Sequence, residues 1–271
     1  MKLLKLTSLG FAALCFVMTS CSDDNDGPEV STSAEPTVDN VFTEGLPASV
    51  DGATFTTNEK GQVTKIVDGD EVITFEYGTF SSRAAEYNVA MRYSDNNYPD
   101  EGWTIYMQLN SQGFVSHALQ VYKDDEYEND TWDFGYNADG QLTSLKRSEG
   151  EDDYEITYAN GNIVKVTEID EDDDPYVYTF SYTNDKFTTP VENTYNLMLF
   201  DDMFEIDMDE MGIAYYAGLL GKSTKNLPMG CNYGDGDADN YNWSFDSNNN
   251  NRPTKFWCGG YEWNAVSFSW K

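Results

Sequence analysis

The segment DGDADNYNWSFD places Asp235, Asp237 and Asp239 at alternate positions, offers the backbone carbonyl of Tyr241, and reaches Asp246 in the twelfth place. Calcium takes oxygen ligands from carboxylates and backbone carbonyls, and this order of oxygens is that of an EF-hand loop. The match is partial. Asn240 stands where such a loop turns on Gly, Asp246 is shorter than the bidentate Glu, and no helical pattern flanks the segment. A solvated acidic loop is the competing reading, and calcium is the only cofactor the sequence suggests.

Other residue types narrow the chemistry further. His117, in GFVSHALQVY, is the only histidine, which excludes multi-histidine metal centres and leaves a Ser-His-acid triad without its GxSxG context. Alternation puts it with Val115, Leu119 and Val121, so a packed or half-buried strand position is expected. Two carboxylates at a set separation can hydrolyse glycosides, but 48 Asp and Glu offer too many pairs for sequence to choose one. GLLGKST resembles a phosphate loop only superficially, because Tyr216 stands where the first Gly belongs and a helix leads into it rather than out.

Aromatic side chains supply the remaining candidates. Trp257, Tyr261, Trp263 and Trp270 lie close together near the C-terminus, and in YEWNAVSFSWK the pair Tyr261 and Trp263 falls on one strand face while Phe268 and Trp270 fall on the other. Such rings stack on sugars, or else fill a core. A strand with two aromatic faces is either buried on both sides or binds something with one of them.

The elements that must hold these groups are punctuated by glycine. FTTNEKGQVTKI, LNSQGFVSHAL, YNADGQLTSL and YANGNIVKV share an apolar or aromatic residue, a polar turn ending in Gly61, Gly113, Gly140 or Gly161, and an alternating strand. Glycine supplies the positive φ of a tight hairpin, and Asn tolerates it next best, as in the degenerate copies YTNDKFTT and FDSNNNNRPTKF. Trp132, Phe134 and Tyr136, then Tyr154, Ile156 and Tyr158, then Tyr176, Tyr178, Phe180 and Tyr182 alternate with polar or small residues. The fold class is therefore mainly β, an antiparallel β-meander of about 12–14 strands, curled or closed into a barrel-like sheet to avoid long open edges. One stretch departs from period two: from about 194 to 221, Leu, Met and Ala recur at helical spacing, with Asp207 to Glu210 at a helix start and Gly221 as its stop. A helical insertion there would bury Met211, Tyr215 and Leu219 against the strands.

The chain begins with two lysines and an apolar run, residues 1–20, that reads as an export signal too short to span a bilayer. Cys21 after MTS resembles the lipobox of bacterial lipoproteins, which implies lipidation at Cys21, and SDDND behind it resembles the acidic tag of Bacteroidetes surface lipoproteins. Residues 21–45, rich in Asp, Ser, Thr, Pro and Glu, read as a disordered acidic tether, and residues 46–271 as a single antiparallel β domain. The hairpin turns are similar to the YD repeats of Rhs-type shell proteins. With AGLLGKSTKNLPMG and the last aromatic hairpin, the chain resembles a Bacteroidetes lipoprotein family of unknown function with a porin-like β fold. That resemblance implies a shape and no activity.

Without Lys2 and Lys5 the chain keeps 14 basic against 48 acidic residues, a formal charge of −34. Such a field repels nucleic acid and anionic headgroups, so membrane contact is expected through the lipid alone. With Cys15 in the signal and Cys21 lipidated, Cys231 and Cys258 remain in an oxidising compartment. A disulfide between them would close a loop of about 28 residues, for about 3–4 kcal/mol; two buried thiols are the alternative. The expected function is non-enzymatic capture of an extracellular glycan or peptide by a lipid-anchored protein on the outer membrane, facing the exterior. A carboxylate-based glycan hydrolase and an envelope structural subunit are the alternatives.

Overall fold

The computed structural model describes residues 36–271, apart from 83–84, 99–101, 124–128, 149–151, 171–173 and 235 and the side chain of Asp152. The export segment and Cys21 lie outside the described residues. Sixteen strands follow in order: β1 (Ser49–Val50), β2 (Ala53–Thr57), β3 (Val63–Asp68), β4 (Glu71–Ser82), β5 (Ala85–Asp95), β6 (Trp103–Leu109), β7 (Val115–Tyr122), β8 (Asp130–Tyr136), β9 (Leu142–Arg147), β10 (Asp152–Ala159), β11 (Asn162–Asp170), β12 (Tyr176–Ser181), β13 (Gly230–Asn232), β14 (Ala238–Asp246), β15 (Arg252–Cys258) and β16 (Val266–Ser269). Each pairs antiparallel with its neighbours in the chain, and β1 pairs with β16, so the sheet closes into a barrel with no open edge. The count exceeds the expected 12–14 because β1, β13 and β16 are too short to show a period in sequence.

The glycine-ended turns build one end of this wall. In each of three of them an Asn side chain accepts two backbone N–H groups: Asn58 from Lys60 and Gln62, Asn110 from Gln112 and Phe114, Asn137 from Asp139 and Gln141, at 2.9–3.1 Å. The chain then needs a left-handed residue, and Gly61, Gly113 and Gly140 supply it at φ +76, +84 and +82. In the FDSNNNNRPTKF copy Asn250 and Asn251 take φ 54 and 51 instead. A register shift follows beside each of these hairpins, as a bulged turn requires. These turns join β2–β3, β6–β7, β8–β9 and β14–β15, with Asn160–Gly161 joining β10–β11, so all fall at the same end of the barrel, hereafter the turn end.

Between β12 and β13 the chain leaves that end and fills the lumen. The single helix expected over about 194–221 is two short pieces, α1 (Phe200–Phe204) and a 3₁₀ segment Asp209–Ala217. The reason is local: Glu205 and Asp209 adopt positive φ (54 and 41) and break the helix between them. Met211, Tyr215 and Leu219 are fully buried, as their spacing predicts, together with Met203, Phe204, Ile206 and Leu220. Burying such side chains stabilises the fold by about 1.5–3 kcal/mol each. The tether boundary at residue 45 is corrected too. Val38, Val41 and Phe42 are buried, and the Phe42 ring lies 5.3 Å from Tyr215, so the chain from about residue 36 belongs to the filling. Its apolar residues at i, i+3 and i+4 on a turn of 3₁₀ helix explain why.

Along the wall, inward Trp132, Phe134, Tyr154 and Ile156 alternate with outward Asp133, Glu155 and Thr157, and Lys65, Lys146 and Thr179 are likewise exposed. The barrel is therefore apolar inside and polar outside. Among the described residues no helix is long and apolar enough to cross a membrane.

Candidate functional site

The turn end carries a cavity of about 810 Å³. Its geometry starts from Gly140, whose carbonyl accepts the N–H of Lys222 at 2.8 Å, and from Gly161, whose carbonyl accepts the N–H of Lys225 at 2.9 Å. The chain leaving the lumen is thus laid along the hairpin turns, with Lys222 and Lys225 exposed and Ser223 and Thr224 buried. Gln141 fastens the same seam by donating to the carbonyls of Gly161 (3.0 Å) and Ser223 (3.2 Å). On the floor, buried Asn193 donates to Leu197 O at 2.8 Å and Thr224 O at 3.2 Å, and Ser223 Oγ donates to Asn196 Oδ1 at 3.2 Å. The open walls come from Thr43 and Glu44 of the leading segment, Gln112 and Asp139 of two turns, and Glu192 and Thr194 of the insertion. The lining is amides, hydroxyls and both signs of charge on a hydrogen-bonded frame, which suits a ligand with many hydroxyl or amide groups.

A second cluster lies at the opposite end, where the filling meets β13 and β14. Tyr233 Oη lies 3.1 Å from Glu205 Oε1 and 3.3 Å from Asp239 Oδ2, so one phenol joins two carboxylates. Burial pushes Glu205 up to about 7, against the Tyr233 hydrogen bond and with the Asp201, Asp202 and Asp239 charges adding to the rise. A carboxyl in that range can hold or release a proton at neutral pH.

The carboxylates of the DGDADNYNWSFD segment are not brought together. Asp235 lies outside the described residues, Asp237 is exposed in a connection, and the rest of the segment, Ala238–Asp246, is the strand β14. Asp239 and Asp246 therefore sit about 23 Å apart along an extended chain. The Tyr241 carbonyl accepts Asn184 Nδ2 at 3.3 Å, and its phenol donates to Met203 O at 3.1 Å. Period-two residues made the strand, and the sequence reading of a loop missed it.

Cys231 and Cys258 are both free, so the expected disulfide is corrected as well. Cys231 on β13 pairs in register with Asp239, and Cys258 on β15 with Tyr241, so β14 runs between them. Two strand spacings amount to about 9–10 Å between Cα atoms, beyond the roughly 7 Å that a disulfide spans. Burial pushes each thiol up to about 12, and Cys258 donates to Asp202 O at 3.4 Å.

The four aromatic candidates do not share one surface. Trp270 packs against Tyr195 at 4.6 Å and donates to Pro253 O at 2.7 Å, while Trp257 is half-buried opposite Asn242. Tyr261 and Trp263 are exposed, and the strand expected to hold them begins only at Val266; Tyr261 caps the start of a 3₁₀ turn, Glu262–Asn264, and Trp263 lies within it. His117 is half-buried on the outer face, 2.8 Å from Asp133, because the bulge between Gln108 and Leu109 shifts the register after Val115. Sequence reasoning missed Glu205, whose signal is only its positive φ, and the cavity residues, which no spacing links across the turns.

A family model described as a domain of unknown function (DUF4595) with porin-like fold matches residues 44–255. A crystal structure of a porin-like protein from Bacteroides uniformis is similar, with a TM-score of 0.55 at 15% identity over 81% of this chain and 90% of that one. At that identity the likeness is one of fold. No curated protein matches the sequence.

Proposed function

Because the chain belongs to the DUF4595 family with porin-like fold, a membership that assigns a barrel and no activity, we propose that it is a lipid-anchored capture protein for an extracellular glycan or peptide. The observation that carries this reading is the polar cavity at the turn end, with Gln112, Asp139, Glu192 and Lys222 around a frame of buried amides. Vicinal hydroxyls of a sugar match carboxylate, amide and ammonium groups held at fixed positions. The lumen beneath is filled by apolar side chains, so the wall serves as a scaffold and not as a conduit. The polar outer face does not suit a bilayer, where a barrel needs an apolar band, and attachment falls to an acyl group on Cys21. The leading segment enters at the turn end, where Val38 N–H donates to Gly61 O at 3.1 Å.

The test is a glycan and peptide array probed with residues 22–271, followed by calorimetry of any hit. The reading expects Asp139→Ala with Lys222→Ala to weaken binding at least tenfold without changing Tm, and the export segment with Cys21 intact to incorporate a fatty-acid label that Cys21→Ala loses. An array with no hit would sink the capture reading.

The Tyr233-bridged pair Glu205 and Asp239 favours one second reading, carboxylate-based glycan hydrolysis. Release of reducing sugar by the native protein and not by Glu205→Gln would support it; release by neither removes it.

A further inference from the structure

Nearly every large apolar side chain among the described residues is inside. Among the described residues the exposed ones are Tyr98 (59%), Tyr261 (63%) and Trp263 (80%). All three belong to connections at the end opposite the turns, β5–β6 for Tyr98 and β15–β16 for the other two. Tyr261 and Trp263 meet edge to face with ring centroids 6.3 Å apart. The connection that carries them is held firmly: Gly259 N–H donates to Asn240 O at 2.8 Å, Asn242 Nδ2 to Gly259 O at 2.8 Å, and Asn264 N–H to Tyr261 O at 2.9 Å. A solvent-facing Trp and Tyr on a fixed turn are presented as a ready surface, with little ordering left to be done on binding.

The charge around them is mostly acidic. Glu262 stands between the two rings in sequence, and the Asp239 carboxylate lies within 3.4 Å of where a Gly259 Cβ would project, with the Tyr261 ring at 3.6 Å from the same point. The neighbouring β1–β2 turn brings Asp51, whose N–H donates to Ser267 O at 2.7 Å. Farther round the rim, Asn97 Nδ2 donates to Asp70 Oδ2 at 2.9 Å and joins the β3–β4 connection to that of Tyr98. Lys255 of the wall lies 3.5 Å from Glu262. Lys60, Lys222, Lys225 and Arg252 belong to the turn end. Lys123, Lys146 and Arg147 stand at the aromatic end too, beside other connections of its rim, the last two paired with Asp153, Asp130 and Asp209.

We infer that the Tyr261–Trp263 corner with its acidic surround is a docking surface for a lysine- or arginine-bearing polypeptide segment of a partner. Aromatic faces attract such cations and carboxylates pair with them, while an acidic or anionic partner is repelled. The surface lies at the far end from the polar cavity, so the inference stands apart from the capture reading.

The experiment titrates residues 22–271 with a fluorescent peptide of alternating Lys/Arg and Gly/Ser, reading anisotropy at low and at 0.3 M salt. The expected result is measurable binding, weakened by salt, and weakened a further tenfold or so by Tyr261→Ala with Trp263→Ala at unchanged Tm. Asp139→Ala with Lys222→Ala leaves it as it was. Equal binding by the double aromatic variant would show diffuse attraction by net charge and overturn the inference. So would equal binding of an all-Gly/Ser peptide, or loss of Trp263 dependence to a neutral oligosaccharide competitor.

Discussion

Arg147 of the wall reaches Asp209 of the lumen filling at 2.5 Å while its Nε bonds Asp130 of the neighbouring strand, and its guanidinium lies 4.5 Å from the Trp132 ring. One side chain therefore ties two strands and the filling together. Asp130 is fully buried and also accepts Ser148 Oγ at 2.7 Å. Removing the guanidinium takes the cation from a buried carboxylate, so Arg147→Ala is expected to cost about 3–5 kcal/mol in urea denaturation. Arg147→Met with Asp130→Leu should cost clearly less, because no charge is left behind.

The turn glycines separate strain from crowding. At Gly61 (φ +76) a Cβ meets nothing within 4 Å, whereas at Gly140 (φ +82) it comes 2.8 Å from the Phe114 ring. Gly61→Ala is expected to lose about 1 kcal/mol, and Gly140→Ala about 2–3 kcal/mol with a disturbed cavity wall. Equal losses in thermal melts would show that the Phe114 contact is not felt.

The thiols give a simple chemical readout. Intact-mass measurement should show no change on reduction, and native Cys231 and Cys258 should alkylate slowly at pH 8, since burial holds both as thiols there. Denaturant should expose both at once. A loss of two mass units on air oxidation of native protein would contradict the strand spacing described above.

Glu205 sets the sign of a pH effect. Its carboxyl in the fold titrates near 7, above the unfolded value of about 4.3, so the native state holds its proton longer than the unfolded one. Its contribution is fully present below about pH 4 and is lost as pH rises through 7. Glu205→Gln, which still accepts from Tyr233, should raise Tm at pH 8 relative to the native protein and leave it little changed at pH 4.

The repeated turn was the most legible feature of this sequence. Asn, then Gly three residues on, then alternation, is a local device, and local devices survive into the fold: Gly61, Gly113 and Gly140 all have the backbone they need. Inward and outward faces followed from the same period, from Trp132 to Tyr158. What was not legible depends on contacts far apart in the chain. Phe42 meets Tyr215 across the lumen, Gln141 meets Ser223 across the cavity seam, and neither pair shares a motif. DGDADNYNWSFD misled for the opposite reason: spacing two places carboxylates for a calcium loop and for one face of a strand alike, and only the ladder to Cys231 and Cys258 decides between them.

The seam between β1 and β16 joins the first and last pieces of the wall to leave the ribosome. The filling is made before the last four strands, so it is on hand to collapse before that seam is zipped. Pairings such as Val50 with Phe268 span almost the whole domain, so assembly should be slow and late in commitment. Until the final strand docks, half-wrapped intermediates expose two raw edges and a greasy interior, an invitation to aggregate.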